Sequence, residues 1–107
     1  MDFKKIRQVV KEVQLDTLRL DEEDNFEAVV LKEQVAKLTQ RLESFFGKPV
    51  FPSNDKLPTQ ILQTIDAFGG IMPGQTLYYW GQGKDAIFAM LWSWSDGKHI
   101  TVKIIKK

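Results

Sequence analysis

The amino-acid sequence predicts an α+β fold: an antiparallel sheet with a C-terminal three-stranded meander, packed against two or three helices. Three observations carry this prediction. In the first half, apolar residues recur at spacings of three and four, the period of one helix face. In the last third, strand-favouring residues alternate in character, as in strands buried on one side. Between two of those runs stands Asp96-Gly97, a pair that favours a tight type I′ hairpin turn.

The elements follow in chain order. Phe3, Ile6, Val10 and Val13 share a helix face, with Asp2 placed to cap its N-terminus. A membrane-surface helix is the alternative, but the stretch is short and carries two acids, so packing on a core is expected. Residues 14–31 admit two readings. Leu18-Arg19-Leu20 and Phe26–Val30 flank the polar cluster Asp21-Glu22-Glu23-Asp24-Asn25, which suggests a β-hairpin ending near Leu31. The competing pattern, Ala28, Leu31, Val35, Leu38, Leu42 and Phe45, lets a helix begin near Asp24. The hairpin is preferred. Residues 33–46 form a helix in either case, with a Glu33–Lys37 pair and Gly47 beyond its end.

Gly47 to Pro58 holds Pro49, Pro52 and Pro58 and the polar run Ser53-Asn54-Asp55-Lys56. Proline fixes φ and removes a donor, so this is a loop. A short helix with Ile61, Leu62, Ile65 and Phe68 on one side follows, stopped by Gly69-Gly70. Met72-Pro73-Gly74-Gln75 fits a type II turn. The strands Thr76–Trp80, Ala86–Trp94 and His99–Ile105 complete the chain. Residues 81–85 are expected to be a five-residue loop between the first two.

Totals narrow the function. A chain of 107 residues, 43% hydrophobic and 27% charged, is expected to form one globular domain over 1–107. Net charge is +1, without the basic excess that phosphate binding favours. Charge is nonetheless segregated: Lys4, Lys5, Arg7 and Lys11 lie in the first helix, while Asp16, Asp21, Glu22, Glu23, Asp24 and Glu27 follow it. Both groups are expected to be solvated surface. Cysteine is absent, which removes disulfides, thiolate metal sites and cysteine nucleophiles. No apolar run approaches a membrane span or a signal peptide. A cytoplasmic protein is expected.

Catalytic and metal chemistry find little material. The single histidine, His99, stands beside a turn without other soft ligands. Ser93, Asp96 and His99 are close in sequence, but the pleat sends Ser93 and His99 to opposite faces. Gly81-Gln82-Gly83 lacks the following helix that a phosphate loop needs. No catalytic residue, metal or cofactor is expected.

The meander does point to a surface. A turn at Asp96-Gly97 pairs Trp94 with His99, Trp92 with Thr101, Met90 with Lys103 and Phe88 with Ile105. On the other face Ile87, Ala89, Leu91, Ile100, Val102 and Ile104 form an aliphatic core surface. With a five-residue loop before Ala86, Tyr78 and Trp80 join the mixed face. The candidate binding residues are therefore Tyr78, Trp80, Met90, Trp92, Trp94, His99, Thr101 and Lys103. Aromatic and polar groups together have the composition of a binding surface, although a helix or the Pro-rich loop could equally cover these aromatics. The expected function is a non-enzymatic module docking a protein partner or a second copy of itself. The alternative is a small-molecule pocket between the sheet, the 47–58 loop and Gly69-Gly70. Nucleic acid is not the expected partner: the C-terminal lysines also serve as edge protection.

Overall fold

A computed structural model describes residues 1–52 and 56–107. Asp2 caps the first helix, α1 (Phe3–Lys11): its carboxylate accepts from the backbone N–H groups of Lys4 at 3.0 Å and Lys5 at 3.4 Å. This satisfies two of the amide donors that a helix start leaves without intrahelical partners. Phe3, Ile6 and Val10 of α1 are buried, and Val13 beyond it is buried as well.

The hairpin reading of residues 14–31 is the one realised. β1 (Thr17–Asp21) pairs antiparallel with β2 (Asn25–Leu31), with a bulge between Leu18 and Leu20. The helical repeat starting at Ala28 does not win because β2 lies between two strands and is buried at Phe26, Ala28, Val29 and Val30. Cross-strand packing outweighs local helix periodicity there. A short 3-10 turn, Lys32–Gln34, leads into α2 (Val35–Phe46). Glu33 thus lies in the turn instead of the α-helix, and among the described residues no ion pair joins it to Lys37. Gly47 ends α2 with φ +75°, its N–H donating to the Glu43 carbonyl at 2.9 Å.

After the Pro-rich segment comes α3 (Thr59–Asp66), directly preceded by Pro58. Of the predicted polar run, Ser53, Asn54 and Asp55 lie outside the described residues. Gly69 and Gly70 both take positive φ, and the Gly70 N–H reaches back to the Ile65 carbonyl at 2.9 Å. At the next turn Gly74 has φ +86° and the Gln75 N–H donates to Met72 at 3.1 Å, as a type II turn requires. The chain ends with β3 (Thr76–Gln82), β4 (Asp85–Ser93) and β5 (His99–Lys106).

All five strands form one antiparallel sheet in the order β1-β2-β5-β4-β3. The meander β3-β4-β5 is present, and the N-terminal hairpin adds to the free edge of β5. Helices α1 and α2 cover one face. Their Phe3, Ile6, Val10, Leu38 and Leu42 pack with Ala28, Ala89, Val102 and Ile104 of the sheet. Removing this area from water is the main stabilising contribution, at roughly 25 cal/mol per Å² of apolar surface. On the other face α3 and the Pro-rich segment cover only the β3–β4 side and the end of β5. There Ile65, Leu77, Phe88, Met90 and Ile105 form a second core, joined by Val50, Phe51, Leu57, Ile61 and Leu62.

The segregated charges of the first 27 residues are not two independent solvated patches. Asp21 of β1 is paired with Arg7 at 3.1 Å and with Lys11, both on α1, and Arg7 also donates to the Glu22 carbonyl. The acid-rich hairpin thereby holds the basic helix. These are partly exposed pairs, so their contribution is positional more than energetic.

Tyr78 is 1% exposed, and its hydroxyl donates to Glu43 of α2 at 3.0 Å. Burial first, then the hydrogen bond to the Glu43 carboxylate and that group's charge, hold the phenol far above its ordinary value. The neutral form is thus favoured in the folded chain. The associated stability is present below about pH 10, the ordinary phenol value, and is lost progressively above it. Tyr78→Phe is expected to flatten the alkaline limb of a urea-denaturation series against pH. An unchanged alkaline limb in Tyr78→Phe would assign that loss to other groups.

Candidate functional site

The register of β4 and β5 sorts the predicted site residues as the sequence suggests. Trp92 faces Thr101, Met90 faces Lys103 and Phe88 faces Ile105. Trp94 lies opposite His99, its N–H donating to the His99 carbonyl at 2.9 Å. The turn itself is of another kind. Type I′ needs positive φ at both central residues, but Gly97 alone has it, at +71°. The Gly97 N–H closes on the Trp94 carbonyl at 3.2 Å, which gives a four-residue loop from Ser95 to Lys98. That loop is centred on the same peptide bond as the predicted two-residue turn. The pairing is therefore unchanged.

Asp96 explains the choice. Its Oδ1 accepts from the backbone N–H groups of Lys98 at 2.8 Å and His99 at 3.1 Å, and its Oδ2 lies 2.5 Å from His99 Nδ1. A side chain bonding its own backbone two residues on favours such a loop. The Lys98 amide first, and then the His99 side chain, hold the Asp96 carboxyl below the usual carboxylate value.

The β3–β4 connection departs from expectation and changes the site. Gln82 pairs with Asp85, so the turn is only Gly83-Lys84, and Trp80 faces Ile87 instead of Ala86. Moving the pairing by one residue sends every side chain of β3 to the other face. Tyr78 and Trp80 consequently lie with the α1–α2 core, where Tyr78 packs near Phe46 with ring centroids 6.0 Å apart. They are not part of the surface formed by Trp92 and Trp94.

The mixed face is itself divided. Met90 is 4% exposed and belongs, with Phe88, to the core beneath α3. Trp92 is half-buried at the border of that core. Beyond the border, Trp94, His99, Thr101 and Lys103 are joined by residues of β1 and β2 that the sequence reading omitted. Trp94 Nε1 donates to Thr101 Oγ1 at 2.8 Å, its ring stacks on His99 at 4.7 Å, and the Arg19 guanidinium stands 5.4 Å from the indole centroid. Arg19 also reaches Glu27 at 3.4 Å, and Glu27 is directly opposite Lys103. His99 Nε2 lies 3.8 Å from Asp16.

Val29 and Thr101 are each 1% exposed, yet neither belongs to the clusters that the helices form. They are neighbours across β2 and β5, and Trp94 is bonded to Thr101 above them. Trp94, bonded to Thr101, and Trp92, directly opposite it, are the large side chains beside Thr101 on this face. Arg19 was detectable in principle, since it alternates with Leu18 and Leu20. What the sequence lacked was the strand order that places β1 two strands from β5.

The space between the sheet, the Pro-rich segment and Gly69-Gly70 is occupied by Leu57, Ile61, Ile65 and Ile71 packed on Leu77 and Phe88. A cleft of about 370 Å³ lies elsewhere, beside Gln63, Thr64, Tyr79 and Lys84. Among the described residues no group of three or more His, Asp or Glu side chains is placed to hold a metal ion. No helix among them is long and apolar enough to cross a membrane. No protein-family model, curated protein or solved structure matches the chain.

Proposed function

We propose that residues 1–107 act as one non-enzymatic, cytoplasmic interaction domain that docks a protein partner through the open part of its sheet. The observation that carries this reading is the surface formed by Trp92, Trp94, Arg19, Glu27 and Lys103. It is aromatic and charged at once, and it runs from Trp92 at the border of the α3 core across Trp94, Arg19, Glu27 and Lys103, which belong to neither helix-covered cluster. Binding energy at interfaces concentrates on tryptophan and arginine held in place by neighbours. Trp94 and Arg19 are so held. A strand-rich platform also keeps such groups at fixed spacing, which lowers the entropy lost on association. The lack of cysteine suits a reducing compartment.

A photo-crosslinking phenylalanine at position 103, compared with one at Lys37 on the exposed side of α2, tests this in the protein's own cells. Position 103 is expected to give a discrete adduct, with the partner or a second copy, that position 37 does not. Equal or absent capture at the two positions would remove the docking surface.

A further inference from the structure

We propose that the cleft beside the β3–β4 turn binds a small phosphorylated polyol, its phosphate held by Lys84, Lys107 and Tyr79 and its hydroxyls by Thr64, Gln63 and Asp85. The cleft stands at the start of β4, whereas Trp94 follows the end of that strand. The site is therefore independent of the docking surface.

The α3 wall is a polar stripe. Gln60, Gln63 and Thr64 share one side of the helix, at spacings of three and four from Gln60, while Ile61 and Ile65 pack on the sheet. Thr64 is only 6% exposed, although it lines a cleft of about 370 Å³, a volume typical of small-molecule sites. Its hydroxyl donates to the Gln60 carbonyl at 2.9 Å, so Oγ1 presents lone pairs to an incoming O–H group. The Tyr79 hydroxyl stands 3.5 Å from that oxygen, farther than in an ordinary O–H···O bond. Its proton remains available to a stronger acceptor.

Gly81 sets the opposite wall. A methyl group at position 81 would stand 3.0 Å from a Tyr79 ring carbon and 3.2 Å from its hydroxyl oxygen. Gly81 lies within β3, and its φ is not positive. Glycine there serves the close approach of the ring, not an unusual backbone. With Phe88 stacked on the ring at 6.3 Å, Tyr79 is held over Gly81 with its hydroxyl beside Thr64.

Charge selects the ligand. Lys84 occupies the turn, and the Lys107 N–H, donating to the Ala86 carbonyl at 2.8 Å, holds Lys107 next to the start of β4. Both lysines line the cleft, and among the described residues no carboxylate is within ion-pair distance of either. Asp85 is the one acidic side chain among the described residues of the lining. A phosphomonoester carries a charge of about −1.5 to −2 at pH 7, which matches two ammonium groups, and lysine serves phosphate as a point charge. Asp85 and Thr64 Oγ1 present acceptors, so the rest of the ligand must donate, as sugar hydroxyls do. Inorganic phosphate lacks that array of hydroxyls, and a neutral sugar lacks the charge.

An amide NMR titration with α-D-glucose 1-phosphate tests the site, with methyl α-D-glucoside and inorganic phosphate compared at equal ionic strength. The phosphate ester is expected to give saturable shifts at Thr64, Gly83 and Lys84, and each comparison compound to bind at least roughly tenfold more weakly. Lys84→Glu, at an exposed turn position, is expected to weaken the ester roughly tenfold. Gly81→Ala, which displaces the Tyr79 ring, is expected to weaken it severalfold, while Lys37→Glu on the exposed side of α2 leaves it unchanged. The amide spectrum of each free variant reports its fold. No saturable shift with the ester overturns the proposal, as does inorganic phosphate binding equally well, or an unchanged affinity in folded Lys84→Glu. None of these results bears on the crosslinking test of docking, which probes the other end of the sheet.

Discussion

Val102→Asp is expected to abolish folding, while Lys103→Asp, one residue along the same strand, is expected to cost only about 1 kcal/mol. Val102 is fully buried in β5, the central strand of the sheet, among the residues that α1 and α2 cover. A carboxylate there stands among apolar side chains, and an unpaired buried charge costs several kcal/mol even after relaxation. Total stability of a domain this size is about 5–15 kcal/mol, so the loss is comparable to the whole. Lys103 points the other way, toward the open surface, and is half-exposed. An aspartate there stands between Met90 of β4 and Glu27 of β2, the latter a like-charge neighbour on the open surface. Far-UV circular dichroism with urea denaturation of both variants measures the contrast. A folded Val102→Asp, or an unfolded Lys103→Asp, would mean that the faces of β5 are assigned the wrong way round.

Phe88→Ala carries the second large effect, about 3–5 kcal/mol of destabilisation. Phe88 is fully buried on the opposite face of β4, with Phe68 edge-on at 5.4 Å and Tyr79 stacked at 6.3 Å. Removing the ring leaves a cavity between the sheet and α3, and few neighbours can move to fill it. Ile65 is itself fully buried, and Leu77 and Ile105 are fixed by the sheet. For a chain of this length the midpoint of thermal unfolding should fall by roughly 15 °C or more. A fall of only a few degrees would show that α3 is not seated on Phe88. The comparison separates the two layers: Val102 reports on α1 and α2, and Phe88 reports on α3.

The site illustrates which inferences tolerate error. The β4–β5 pairing survived a wrong turn type, because a loop of four residues centred where a loop of two was expected keeps the same partners. Asp96 selected the longer loop by bonding the Lys98 and His99 amides, and the pattern of Trp92, Trp94 and Thr101 was unaffected. The β3–β4 pairing did not survive. Shortening the connection from five residues to Gly83-Lys84 moves its centre by half a residue, and with a side-chain period of two the faces of β3 exchange. Tyr78 and Trp80 went with it, into the core. Glycine at 81 and at 83 left the loop length open, since either could have begun a turn. What closes it is Tyr78, whose ring packs near Phe46 and whose hydroxyl meets Glu43, both on α2.

Alternation, helix period and capping chemistry are local quantities. For that reason α1 with its Asp2 cap, the helix ending at Gly47, and the sorting of β4 against β5 could be read directly from the residues. The sequence by itself determined those elements and the α+β class. Only the tertiary structure decided that β1 and β2 join the sheet beside β5, that α3 covers half of one face, and that Arg19 meets Trp94, Glu27 meets Lys103 and Asp16 approaches His99. Those meetings join residues more than 60 positions apart in the chain. They depend on which strand edges pair and on how much area each arrangement buries, energies summed over the whole molecule and not encoded in any single window of sequence.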